Sequence, residues 1–294
     1  MKWPTNYGKG WTLSSAAERK GIGLHGGQVA RVRLQGSSRP GYWLGWLDQP
    51  EIPLQRLNPT LVSDTTLCTA LRLENRRLAT VEHLLAALAG TGVSQAEILV
   101  EGEEIPLLDG SSLPWVEAIA EAGLVCLGDR RLVTIPADPP FMVRRDESFA
   151  LAVPFPGLRV TAAVEYPQPA IGRQIYSLDL TPVRFVQELA PARTFGFCEQ
   201  LEELQNLGLI RGGALNNALV CDGEGWLNPP LRFPDEPVRH KLTDLLGDLA
   251  LVGFPQAQVF VYRGSHRLHT ELAKAIFLAS ASSSPIPAST SLSD

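Results

Sequence analysis

The sequence predicts an α+β chain made of two similarly built units. Stretches that alternate with period two are interleaved with stretches of helical spacing in both halves. Each half closes on the same succession of strand, glycine-containing turn and helix, although no sequence repeat accompanies it. At 294 residues, 45% hydrophobic and 19% charged, the chain can bury two cores of ordinary size.

In order, ARVRLQG (30–36) alternates as a strand, and the Trp-rich residues 41–55 read as irregular. TVEHLLAALAG (80–90) is an apolar helix, with Thr80 at its start and Glu82 near the positive end of its dipole. QAEILVEG reads as a strand, EIPLLDGSS as a loop, and LPWVEAIAEAGL as a helix ending near Gly123. After a boundary placed at 128/129, strands are expected near 149–153 and 158–165, with a helix near 182–189. VRHKLTDLLGDLALVG (238–253) is amphipathic through Leu242, Leu245, Leu246 and Leu249. QAQVFVYRG then forms a strand and RLHTELAKAIFLAS a helix, and residues 282–294 have the composition of a disordered tail.

A net charge of −5 supplies no basic field for nucleic acid, so an anionic ligand would need local Lys and Arg residues. Cys68, Cys126, Cys198 and Cys221 are far apart, which suits a reducing compartment better than a disulfide framework. The N-terminal residues lack a signal-peptide core, and no apolar run reaches the ~18 residues of a membrane span. The expectation is a cytoplasmic monomer.

Five histidines carry the chemistry. His240, Asp244 and Asp248 stand at i, i+4 and i+8, roughly along one line of their helix. An imidazole and a carboxylate one turn apart can share a metal ion, and they can equally form a solvent-facing pair. A metal hydrolase needs a third ligand and a base; His83 and Glu82 are candidates, although Glu82 alone fits a dipole role as well. His266 could be an acid held charged by Asp248, or a turn histidine capping a helix. His269 reads as a partly exposed helix residue. PARTFGF (191–197) offers Thr194 as a donor, yet read bare it is a buried turn with packing phenylalanines. GIGLHGG (21–27) is too short and wrongly spaced for a nucleotide-binding loop, and His25 reads as a turn residue.

Taken together, GIGLHGG, DTTLCTAL, TVEHLLAALAG, EIPLLDGSSLPWV, ARTFGF, RHKLTDLLGDL and the SHRL turn resemble one family, the zinc-dependent UDP-3-O-acyl-N-acetylglucosamine deacetylases of lipid A synthesis. The resemblance implies two α+β domains, each a sheet layered on two helices, with the active site between them. It implies Zn2+ held by His83, His240 and Asp244, with Fe2+ an alternative in the cell. Glu82 would be the general base, His266 an acid oriented by Asp248, and Thr194 an oxyanion donor. Lys241 and Arg263 match positions contacting the anionic part of the substrate. Phe195 and Tyr166 match aromatic positions that pack on sugar and uracil. An acyl passage is expected within about residues 197–235, with Ile210, Gly213 and Ala218 as lining; Cys68 falls near the metal and His25 near the substrate. Gly26, Gln200 and Arg263 depart from the residues usual in the family, and the Arg263 guanidinium favours a forked grip on phosphate. The implied reaction releases acetate from the 2-acetamido group of UDP-3-O-(3-hydroxyacyl)-N-acetylglucosamine. A binding protein without catalysis, or a deacetylase of another N-acetyl sugar, are the competing readings.

Overall fold

The computed structural model describes residues 1–130 and 132–282. The first half contains β1 (Lys9–Leu13), β2 (Ala17–Ile22), β3 (Val29–Gly36), β4 (Gly41–Trp46), β5 (Gln55–Arg56), β6 (Val62–Asp64), β7 (Ala70–Leu73) and β8 (Arg76–Leu78). It continues with α1 (Glu82–Gly90), β9 (Gln95–Glu101), α2 (Leu113–Ala122) and β10 (Leu124–Asp129). The second half contains β11 (Val133–Thr134), β12 (Phe141–Arg145), β13 (Ser148–Pro154), β14 (Leu158–Glu165), β15 (Arg173–Asp179) and α3 (Pro182–Arg184). It ends with β16 (Phe195–Phe197), α4 (Cys198–Asn206), β17 (Leu219–Cys221), α5 (Glu236–Leu249), β18 (Pro255–Tyr262) and α6 (His266–Ser282).

Two sheets share one topology. The first runs β2-β3-β9-β4-β5 and the second β12-β13-β18-β14-β15, with β11 beside β18. In each, the last strand inserts antiparallel to the second and parallel to the third. One helix precedes that strand (α1, α5) and one follows it (α2, α6). Burial alternates along β9 and β18, so one face of each sheet supplies core. In the first half α2 packs on β2 and β3; in the second, α5 packs on β14 and β15, and α6 on β12 and β13. Between the halves, α1 packs on α5.

Several expectations need correcting. Residues 41–46 are an interior strand of the first sheet, between β9 and β5; Tyr42, Leu44 and Trp46 are buried, and the Gly and Trp content masks the alternation. Residues 62–78 form a three-stranded sheet that the sequence does not announce. Thr80 is not a helix cap: Val81 precedes α1 without a side-chain cap, and the Thr80 hydroxyl donates to Glu104. The helix near 182–189 is a short α segment running into one π turn, Phe185–Leu189. Ser282 closes α6, and the remainder of the expected tail, 283–294, lies outside the described residues. Among the described residues no helix is long and apolar enough to cross a membrane.

Candidate functional site

The site begins where α1 crosses α5. Gly247 sits against the Glu82 backbone, and a Cβ there would lie 2.1 Å from the Glu82 carbonyl oxygen. Only glycine permits that approach. All nine residues of α1 are buried, so its three leucines fix the helix while Glu82 and His83 meet the line of polar residues on α5. His83 Nε2 comes to 3.7 Å and His240 Nε2 to 3.2 Å of Asp244 Oδ1. The ligand-type atoms of these three residues all lie within 4.8 Å of one another.

His240 Nδ1 donates to the Ala192 carbonyl at 3.1 Å. A carbonyl can only accept, so this contact puts the proton on Nδ1 and leaves the Nε2 lone pair facing His83 and Asp244. Burial pushes the His240 pKa down, which keeps the ring neutral as a ligand must be. Burial opposes ionisation of Asp244, but the facing His240 and Lys241 overcome it and hold the carboxyl well below its ordinary range. Lys241 Nζ donates to Asp244 Oδ2 at 2.8 Å. Asp244 Oδ1 is buried without a hydrogen bond, since the nearby His240 Nε2 carries a lone pair and no proton. Two imidazole nitrogens and an unpaired carboxylate oxygen are a fitting donor set for one divalent cation.

Beside this trio stands a second chain of contacts. Glu82 Oε2 accepts from the Thr69 amide at 3.0 Å, and Oε1 lies 4.0 Å from His266 Nε2. Burial raises the Glu82 pKa, with His266 and His83 pulling the other way. Asp248 is fully buried; it accepts from the Thr69 hydroxyl on Oδ1 and from both His266 Nδ1 and His269 Nδ1 at 3.0 Å on Oδ2. Burial alone would lower the His266 pKa, but the carboxylates of Asp248 and Glu82 lift it to about 9. His269, expected to be partly exposed, is buried because Asp248 claims its ring; burial lowers its pKa.

These groups open on a cavity of about 450 Å³. Glu82, His83, His240, Asp244, His266, Lys241 and Thr194 line one end, with Phe195 and Tyr166 edge-to-face at 5.5 Å. His25 also lines it, with both ring nitrogens buried and unbonded, and burial lowers its pKa. Ile210, Gly213 and Ala218 line the apolar part, as do Leu201 and Leu204 of α4. The sequence reading missed α4, although Leu201 and Leu204 stand at i, i+3 on a helix whose Glu199, Glu202 and Glu203 are exposed. PARTFGF is therefore a strand edge facing a cavity rather than a closed turn.

Cys68 and Arg263, both expected at the site, do not line this cavity. Cys68 is buried and absent from the cavity lining; burial, aided by Glu82, raises its thiol to about 12. All four cysteines are free. Arg263 lines an adjoining pocket of about 520 Å³ that shares Tyr166 and Gly264 with the cavity, and its Nη1 donates to Glu147 at 2.6 Å.

Framework residues escaped the sequence reading as well. Glu104 accepts from the His25 and Gly26 amides at 2.9 and 2.8 Å and so holds the glycine turn. Arg193 pairs with the fully buried Glu236, tying β16 to the start of α5. Arg232 reaches across to Asp109 at 2.9 Å, and Thr194 donates its amide to Gly110 at 2.7 Å, so the LDGSS loop of the first half positions the second.

The model of the family described as UDP-3-O-acyl N-acetylglycosamine deacetylase (LpxC) matches residues 11–278. The chain is similar to a protein of Nostoc sp. named UDP-3-O-acyl-N-acetylglucosamine deacetylase, at 46% identity over 90% of this chain and 97% of that one. It is 47% identical to the protein of the same name in Thermosynechococcus vestitus, over 90% and 93%. A probable deacetylase of this name from Arabidopsis thaliana, described as mitochondrial, is 36% identical over 90% and 86%.

Proposed function

The chain belongs to the UDP-3-O-acyl N-acetylglycosamine deacetylase family, and from that premise we propose that it removes acetyl from UDP-3-O-(3-hydroxyacyl)-N-acetylglucosamine, a step of lipid A synthesis, as a zinc enzyme. The observation that carries the metal reading is the meeting of His83, His240 and Asp244 at the cavity end beside Glu82, with Asp244 Oδ1 buried and unbonded. His83, His240 and Asp244 would hold Zn2+, and Fe2+ suits the same set. When bound, such an ion supplies Lewis-acid polarisation of the amide carbonyl and acidifies water.

The side chains divide the proton work. Glu82, a carboxylate with its pKa raised by burial, takes the proton of the attacking water. The Thr194 hydroxyl donates to the oxygen that becomes negative as the carbonyl carbon turns tetrahedral. His266, charged up to about pH 9, gives its Nε2 proton to the departing amine as the C–N bond breaks and acetate leaves. Asp248 holds the opposite nitrogen of that ring. Phe195 and Tyr166 present ring faces and edges for sugar and uracil, Lys241 and the neighbouring Arg263 supply positive charge, and His25 adds a polar contact. Ile210, Gly213 and Ala218, with Leu201 and Leu204, would take the acyl chain.

The same reading divides the chain into units 1–128 and 129–281, with the acyl insert at about 197–235, supported by two sheets of matching strand order. A cytoplasmic monomer goes with this reading, and the four free cysteines suit a reducing compartment. The test is acetate release from the purified protein with and without chelation. Release abolished by chelator and restored by zinc is expected; chelator-resistant release overturns the metal role, and no release from metal-loaded protein overturns the substrate.

A further inference from the structure

Beyond the C-terminal end of α5 lies a pocket of about 150 Å³ that shares no lining residue with the catalytic cavity or its neighbour. It stands between the halves: Gly41, Arg56, Asn58 and Arg130 face the Ala250–Gly253 turn and Phe277 of α6. Among the described residues no carboxylate lines it. Arg130 stacks over Phe254 at 5.1 Å, and its Nη1 is buried without a hydrogen-bond partner. Among the described residues neither Arg130 nor Arg56 has a salt bridge, whereas Arg193, Arg232 and Arg239 are all paired. A Cβ at Gly41 would stand 3.1 Å from Arg56 Nε, so glycine leaves room for that guanidinium at the pocket edge.

Arg130 is half-buried and lines the pocket without a carboxylate partner among the described residues, so the charge of an oxyanion there offsets the cost of its burial. Each guanidinium presents a fork suited to two oxygens, and a phosphate group carries close to two negative charges for two arginines. At about 150 Å³ against 450 Å³ the pocket is a third the size of the main cavity, room for a small oxyanion with residual hydration. We propose that this pocket binds phosphate, either free or as the end of a small phosphate monoester. The inference is independent of the deacetylase reading.

The experiment titrates inorganic phosphate into the full chain at constant ionic strength, with chloride as control and glycerol phosphate as a parallel probe, and reads heat and 31P line width. Saturable binding is expected. Arg130→Gln and Arg56→Gln should each weaken it at least about tenfold, the loss of one charge-assisted pair, while Arg263→Gln should leave it unchanged. If Arg130→Gln does not fold, Arg56→Gln at its exposed position carries the same reading. Tighter binding of glycerol phosphate assigns the site to a monoester, and equal or weaker binding to free phosphate. No saturable binding above chloride overturns the proposal, as does binding lost in Arg263→Gln but retained in the other two.

Discussion

Helices α1 and α5 occupy the same place in two sheets of matching topology, each leading into the strand that inserts between second and third. Their chemistry differs. In α1 the only titratable residues are the first two, Glu82 and His83, and the other seven are apolar or glycine. In α5 the polar residues His240, Asp244 and Asp248 run along one side for two turns, and all three are buried. The two matching sheets thus meet at an asymmetric seam, with one half supplying a carboxylate and an imidazole at a helix start and the other a line of ligand-type side chains along a helix flank. The following helices repeat the lesson, since α2 buries only apolar residues whereas α6 opens with His266 and buries His269 as well.

The largest break in that asymmetry is Glu82→Ala. Removing the proposed base on α1 should cost about 10²–10⁴ in turnover while metal content stays at one ion per chain. Acetate release and elemental analysis on the same preparation check this; full activity would end the assignment. Asp244→Ala strikes the α5 side instead and should lower metal occupancy, whereas zinc content equal to the parent would remove Asp244 from the ligand set.

The pH profile sharpens the comparison next. The proposed mechanism requires Glu82 ionised and His266 protonated. Because burial raises the Glu82 pKa, the acid limb should lie above the ordinary value of 4.5. His266 holds its proton up to about 9, so the rate should fall about tenfold per pH unit above that value. His266→Gln should abolish the basic limb and spare the acid one, and an unmoved basic limb would assign it to another group.

The smallest effect tests the seam itself. Gly247→Ala forces a methyl group onto the Glu82 carbonyl and should destabilise the fold by about 1–3 kcal/mol. Gly196→Ala, where nothing lies within 4 Å of the new carbon, should change stability by less than about 0.5 kcal/mol. Equal melting temperatures for the two variants would show that the helix crossing tolerates separation.

Legibility followed the range of the interactions. The helix of α5 and the strands β9, β14 and β18 were readable because their apolar spacing is local and matches their burial. The glycine turn at 21–27 and the LDGSS loop could be read as turns, but not as the pieces that Glu104 and Arg232 anchor. Strand β4 was hidden by its glycines and tryptophans, and α4 by the charged residues on its outer side. The burial of His269 is not legible locally because it depends on Asp248, on a different helix. Thr69, which touches both Glu82 and Asp248, carries no local signal; its hydroxyl bond spans 179 residues of chain.

By itself, then, the sequence determined the element types, the α+β class and the identities of the ligand-type side chains, because periodicity and residue chemistry are properties of neighbours along the chain. Only the tertiary structure decided that His83 faces Asp244 across the halves, that one carboxylate oxygen is left unbonded among them, and that Arg263 is shared with Glu147. Those outcomes depend on how closely two helices approach and on which polar groups the core strips of water. Both are set by packing between distant segments, where a single glycine at 247 allows α1 and α5 to meet.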